Sequence, residues 1–403
     1  MGTPVLARAI ELKGYPKENQ KRFRDFLNRG EPPCDYERQL LQEHQKRMDA
    51  IFHGKIVPPY EVEIQPSSSC NLRCKHCFGN ALTSKRIPNK IGIKEINKIA
   101  NEIEGFRENG FEIEVVKLCG TTGEPLVNPV SLYAIHLFKK LGKKVIFFTN
   151  GLWLDKELDG KKYLDYILEA DTLRLSLDCG SEETFIKLKG KPGFHRTIDS
   201  IRELLEKREE TKRNLKVIIG YVIGEKNYHE IVPATRLMRD LNVDEIRFRV
   251  DFTNPKGIHR ISDSITAKLK KSQELQTKKF KVISEYSKKE IEEDDSAFYS
   301  CGRKCFNQHF WACIGPDCNL YACGHRTYYE VEPYGNLLEN SFRELWTNEK
   351  RLKALAKLPD EYCKFCSPSS TRRNEFMTFL HNLRDKIFSI LQNIPNKNNI
   401  EKR

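Results

Sequence analysis

Cys70, Cys74 and Cys77 stand in the run Cys70-Asn-Leu-Arg-Cys74-Lys-His-Cys77, a C-x3-C-x2-C spacing. Three thiolates so placed can each take one iron of a [4Fe–4S] cube, leaving the fourth iron open to a small chelating ligand. Zinc is the alternative, but it takes four ligands, and His76 is wedged between two of the thiols. A second group lies far downstream: Cys301, Cys305, Cys313, Cys318, Cys323, Cys363 and Cys366. The chain has 13 cysteines in 403 residues, and such clustering fits metal ligation in a reducing compartment better than disulfides. Cys34, Cys119 and Cys179 read as small apolar residues.

The first run directly follows a strand, Tyr60–Gln65 (YEVEIQ). Five more strands are expected at Glu112–Leu118, Lys144–Thr149, Thr172–Leu177, Leu215–Ile223 and Glu245–Val250. Helices between them are expected at Ile93–Arg107, Ser131–Leu141, Lys161–Glu169, Thr197–Glu209 and Glu230–Leu241. Alternation of this kind implies right-handed crossovers and a parallel sheet. The predicted fold is α/β, a partial (β/α)6 TIM-like barrel, short of the eight units that close a full one. On the sixth strand Arg247, Arg249 and Asp251 share one face. That face is expected to line a substrate cavity, with Arg249 or Asp251 binding a polar substrate or assisting proton loss.

Five segments are expected: a helical N-terminal extension (1–58), the barrel (59–251), a charged helical connection (252–297), a cysteine-rich module (298–370) and a C-terminal helix and tail (371–403). The extension should contain a helix over Tyr36–Phe52, and the connection ends in the acidic run Glu292–Asp295. In the module, His309–Ala312 and Leu320–Cys323 should pair as a hairpin, followed by a helix over Ser341–Leu355. The final helix, about Arg373–Leu391, places Phe376, Phe379, Leu380 and Leu383 on one face.

Hydrophobic residues make up 39% and charged residues 31%, the composition of a soluble globular protein. The longest apolar stretch, Val217–Ile223, is too short to span a bilayer. No secretory signal is visible, so a cytoplasmic location without membrane attachment is expected. The formal charge of +13 would favour anionic partners. The basic residues are dispersed without an aromatic-interleaved tract, so nucleic-acid binding is not expected.

The C-x3-C-x2-C run after the first strand resembles the signature of the radical S-adenosylmethionine (SAM) superfamily over about residues 60–251. The resemblance implies that SAM binds the open iron and is split by one electron to a 5′-deoxyadenosyl radical, which abstracts hydrogen from a substrate. It implies a role for His76 near the adenine. Thr122-Gly123-Glu124-Pro125 is similar to the family's GGEP motif at the SAM amino group, with Thr122 in place of the first glycine. Asn150, ending the third strand, and Ser176 and Asp178, ending the fourth, resemble groups that contact SAM's ribose or carboxylate, and Arg196 would reach the carboxylate.

The downstream cysteines resemble the SPASM/twitch class of modules. Cys305, Cys323, Cys363 and Cys366 would close one auxiliary [4Fe–4S] cluster, with zinc as the alternative and Cys301, Cys313 and Cys318 as substitute ligands. Where that class has glycine, this chain has Cys318, so Asn319 is expected to supply the left-handed turn residue. An electron donor such as flavodoxin or ferredoxin is implied. The leading expectation is an oxidoreductase dehydrogenating a polar hydroxylated small molecule. Maturation of a ribosomal peptide is the rival enzyme class. A non-catalytic Fe–S or zinc protein associated with RNA is the rival of another kind.

Overall fold

The computed structural model describes residues 17–29, 35–77, 79, 89–121, 123–251, 253–286, 305–328, 332–358, 363, 366 and 368–383. Thr122, Cys34, Cys301 and the acidic run lie outside the described residues.

A single ten-stranded sheet organises the chain. In chain order its strands are β1 (Glu61–Ile64), β2 (Val115–Leu118), β3 (Lys144–Thr149), β4 (Thr172–Ser176), β5 (Lys216–Ile223), β6 (Glu245–Val250), β7 (Lys281–Ser284), β8 (Trp311–Ile314), β9 (Asn319–Tyr321) and β10 (Gly335–Asn336). Their spatial order is β7-β6-β5-β4-β3-β2-β1-β8-β9-β10. All pairs from β7 to β8 are parallel, and the last two are antiparallel. The six expected barrel strands are all present, and the sheet extends beyond them at both edges.

One extension comes from the segment expected to be a helical connection. It holds two helices, Pro255–Arg260 and Ser262–Gln273, and then β7, which pairs with β6. The other comes from the cysteine-rich module: β8 lies parallel to β1, with Trp311 opposite Glu61 and Cys313 opposite Glu63. The expected hairpin is there with Ile314 facing Leu320, and its first arm doubles as a barrel strand. Cys318, not Asn319, takes the left-handed conformation (φ 64°), because Asn319 already belongs to β9.

Alternation along each strand sets what faces the barrel interior. Val62, Ile64, Val116, Leu118, Val145, Phe147, Leu173 and Leu175 are fully buried against the outer helices. Glu61, Glu63, Lys117, Phe148, Arg174 and Arg247 point to the other side. A second core joins the chain's two ends. The four residues expected on one face of the last helix (Pro368–Asn382) are all buried, and Phe379 stacks on Phe23 at 4.2 Å between ring centroids. Two predicted helices are broken: Tyr36–Phe52 becomes Asp35–Glu43 and Gln45–Phe52. Ser341–Leu355 becomes Phe342–Thr347 and Glu349–Lys357, because Asn348 caps the second through a bond from the Arg351 amide. Among the described residues no helix is long and apolar enough to cross a membrane.

Candidate functional site

The first cysteine loop leaves the carboxyl end of β1 and is pinned on both sides. Lys75 N–H donates to the Leu188 carbonyl at 2.9 Å, and Glu124 N–H to the Ser69 carbonyl at 2.8 Å. The second bond requires the backbones to touch. A Cβ on Gly123 would sit 1.8 Å from the Ser67 carbonyl oxygen, so only glycine fits there. Gly123→Ala should therefore displace the loop; we expect loss of SAM binding in equilibrium dialysis, with the melting temperature also lowered.

Cys70, Cys74 and Cys77 are half-buried. Burial pushes the Cys70 thiol up to about 11, and Glu124, Cys74 and Cys77 add to the effect. Burial also raises Cys74, opposed by the Lys189 ammonium. Cys70 and Cys74 thus resist ionisation and are poor nucleophiles, but with Cys77 on the same loop they suit a metal group whose charge offsets the thiolates. The donor set thus fits the implied cluster.

The family-like residues around this loop divide into two kinds. Asn150 reaches it, donating to Asn71 Oδ1 at 2.7 Å and approaching Cys70 Sγ at 3.9 Å. Ser176 is exposed at the end of β4. Glu124, by contrast, is buried and committed: it accepts from Thr149 Oγ1 (2.7 Å), the Asn150 amide (2.8 Å) and the Leu126 amide (3.1 Å). Burial raises its carboxyl, and those bonds oppose the rise. Its visible task is to tie the end of β3 to the loop after β2.

Asp178 is likewise not on an open face with Ser176. It lies past the end of β4 at φ 64°, and its side chain is buried. It accepts from the Val222 amide at 2.8 Å and from Lys189, and His76 Nε2 stands 3.3 Å away. Arg196 forks onto Asp155 at 2.7 and 2.8 Å on the surface, a turn into the helix Phe194–Glu210, so the structure does not bring it to the loop.

Lys189 is the residue that sequence reasoning missed. It ends a helix, Glu182–Lys189, bounded by the Ser181 cap and by Gly190 in the left-handed conformation. Those two signals were readable in the sequence. Lys189 and Asp178 side chains are each 3% exposed. The Lys189 ammonium, followed by His76, holds the Asp178 carboxyl far below the usual range against its burial. Such a carboxylate stabilises the fold fully above its unfolded pKa of about 4, and that stability is lost only as pH falls through the depressed folded value. Lys189→Met should cost about 3–5 kcal/mol in urea unfolding at neutral pH, since it strands a buried charge, and the added Asp178→Asn should restore part of it.

The downstream thiols meet against the inward face of the sheet. Cys305, Cys323, Cys363 and Cys366 all line one cavity of about 530 Å³. Burial, and then Cys366, Cys323 and Cys363, push the Cys305 thiol far up, so the four are electrostatic neighbours. Arg326 lies 3.8 Å from Cys363 Sγ. Cys318 is buried in its turn, and Cys313 contacts Gln65 and Glu63 at 3.5 and 3.8 Å. Among the described residues, no three His, Cys, Asp or Glu side chains stand close enough to hold a single metal ion. A cubane spreads its thiolates over separate irons.

Inward residues of β1 to β6 also line the cavity, among them Glu61, Glu63, Phe148, Arg174, Arg247 and Arg249. Arg249 is where the strand alternation put it. Asp251 is not among the lining residues: it accepts from the Thr253 amide (3.0 Å) and hydroxyl (2.5 Å) in the turn after β6. Glu63, unnoticed in the sequence, is a carboxylate that does face the cavity.

A family model for the radical SAM superfamily matches residues 64–238. The AdoMet-dependent heme synthase of Methanosarcina barkeri is 24% identical over 310 residues, 72% of this chain and 82% of that protein. A probable GTP 3′,8-cyclase of Saccharolobus islandicus is 27% identical over 190 residues, covering 47% of this chain and 56% of that protein. Streptococcus suis SuiB bound to its precursor peptide SuiA superposes with a TM-score of 0.55 at 17% identity, covering 90% of this chain and 81% of SuiB. At that identity the likeness is one of fold.

Proposed function

We propose that this chain, whose residues 64–238 match the radical SAM family model, is an enzyme that performs a net oxidation of a polar small molecule held inside the barrel, between its two sets of cysteines. The observation that carries the reading is the single cavity on which inward barrel residues and four thiols converge. Its volume, about 530 Å³, is that of a small-molecule site.

Cys70, Cys74 and Cys77 hold the SAM-binding cluster, and Cys305, Cys323, Cys363 and Cys366 hold the auxiliary one. When bound, these groups supply reductive SAM cleavage with hydrogen abstraction at one end and an acceptor for the second electron at the other. The chain's own residues do the rest. Asn150 borders the first loop, Ser176 would contact SAM from the end of β4, and His76 is oriented by Asp178. Arg249 binds the substrate, and Glu63 takes the proton that oxidation releases. A hydroxylated carbon suits this sequence, because losing hydrogen, an electron and a proton turns an alcohol into a carbonyl. An external one-electron donor of the flavodoxin or ferredoxin type would serve the first cluster.

Metal analysis tests this assignment. Anaerobically reconstituted protein should carry about eight iron atoms, from two four-iron clusters. Four iron and one zinc would sink the auxiliary acceptor and with it the oxidation, whereas about twelve iron would bring Cys301, Cys313 or Cys318 into a third cluster.

A further inference from the structure

We infer that Arg351 is a buried counter-charge for the metal group held by Cys305, Cys323, Cys363 and Cys366, placed to make that group a better electron acceptor. This rests on the reading that the four thiols hold a cluster. Arg351 is 3% exposed. It stands in the first turn of the helix Glu349–Lys357, the end where a cation is least favoured. Its terminal nitrogens donate to the carbonyls of Trp346 (2.8 Å) and Gln308 (3.0 Å), and its guanidinium carbon lies 3.5 Å from the centre of the Trp346 ring. Its Nε is buried without a hydrogen-bond partner, and among the described residues no carboxylate pairs with the group. Burial pulls the guanidinium down to about 10, so it stays charged at neutral pH.

Carbonyls and a ring face offer only partial charges, and a deeply buried cation without an anion is costly. Two residues connect this cation to the thiols. Gln308, whose carbonyl Arg351 holds, belongs to the turn Phe306–His309 that follows Cys305, and its amide hydrogen-bonds the Cys305 sulfur. Tyr334, whose ring centre lies 6.0 Å from the guanidinium carbon, donates from its hydroxyl to Gln308 Oε1 at 2.7 Å. Burial pushes the Tyr334 phenol up; Arg351 opposes the rise, while Cys323 and Cys305 add to it, so the phenol lies in the field of both groups. Ligation turns the thiols into anions, and four thiolates leave a four-iron cluster net negative. The electron given up by the substrate radical adds one more negative charge there. A fixed cation in surroundings of low dielectric favours that reduced form over the oxidised one, which raises the potential.

Redox titration followed by electron paramagnetic resonance tests this. It uses the full-length, anaerobically reconstituted protein carrying Cys70→Ala, Cys74→Ala and Cys77→Ala, in which the four-thiol site alone reports. Arg351→Met and Arg351→Gln remove the charge, and Arg351→Lys keeps it. Lys353→Gln makes the same charge change at an exposed position of the same helix. We expect each neutral variant at 351 to shift the reduction equilibrium about tenfold toward the oxidised form, a fall of about 59 mV for one electron. Arg351→Lys and Lys353→Gln should hold the parent's potential. If both neutral variants lose iron while Arg351→Lys retains it, the charge is needed for the group to be held at all, and the inference stands. It is overturned if a neutral variant that keeps its iron also keeps the parent's potential, or if Arg351→Lys or Lys353→Gln falls as far as Arg351→Met. Loss of iron from all three variants at 351 would overturn it too, since the role would then be structural. About four iron atoms and no zinc in the parent report separately on the cluster reading.

Discussion

Replacing Cys70, Cys74 and Cys77 together by alanine should remove about four of eight iron atoms and all 5′-deoxyadenosine formation. The size of the effect follows from where the thiols sit. They share one loop, pinned by Lys75 to Leu188 and by Glu124 to Ser69. The loop's fold does not depend on the sulfurs alone: Ser68 bonds Asn89, and Asn150 bonds Asn71. The triple variant should therefore stay folded, with the four-thiol site still loaded, and circular dichroism should match the wild type. Unchanged iron content would refute the assignment of the first loop.

What could be read in advance was what is local. The C-x3-C-x2-C spacing, the strand before it and the Gly123-Glu124 turn are all visible within a few residues, and the structure places them together. The apolar face of the last helix was legible for the same reason. Pairings of long range were not. β8 pairs with β1 across some 250 positions, so His309–Ala312 looked like only one arm of a hairpin. β7 is four residues long and begins with lysine after a lysine-rich helix, which hid it in a run that looked charged and helical. Roles were harder still, since they depend on which oxygens are already occupied. Asp178 has the residue type of a ligand-binding group, but Lys189 and the Val222 amide occupy it. The resemblance pointed to the right strand end, and only the fold shows that Asp178 stands 3.3 Å from His76 there.

Removing the far pair of thiols should separate the two halves of the reaction. Hydrogen abstraction needs the first cluster alone, whereas net oxidation also needs an acceptor for the second electron. Cys363→Ala with Cys366→Ala should thus leave reductive SAM cleavage largely intact and reduce oxidised product by at least about a hundredfold, the loss that accompanies removing one essential catalytic function. The auxiliary metal also staples residues far apart in sequence, so part of any loss could come from the module itself. Neighbouring contacts bound that contribution. Phe306 N–H donates to Asn374 at 2.6 Å, the Trp346 ring nitrogen donates to Val57 at 2.9 Å, and β8 stays paired with β1. Circular dichroism and retained SAM binding would show that these hold. Deuterium on the reacting substrate carbon then reports on the reaction class. In the wild type one deuterium should appear in 5′-deoxyadenosine per turnover, with SAM consumed. Its return to product with SAM regenerated would mean isomerisation, a reaction with no second electron to place, and the four thiols at the cavity's end would then need another task.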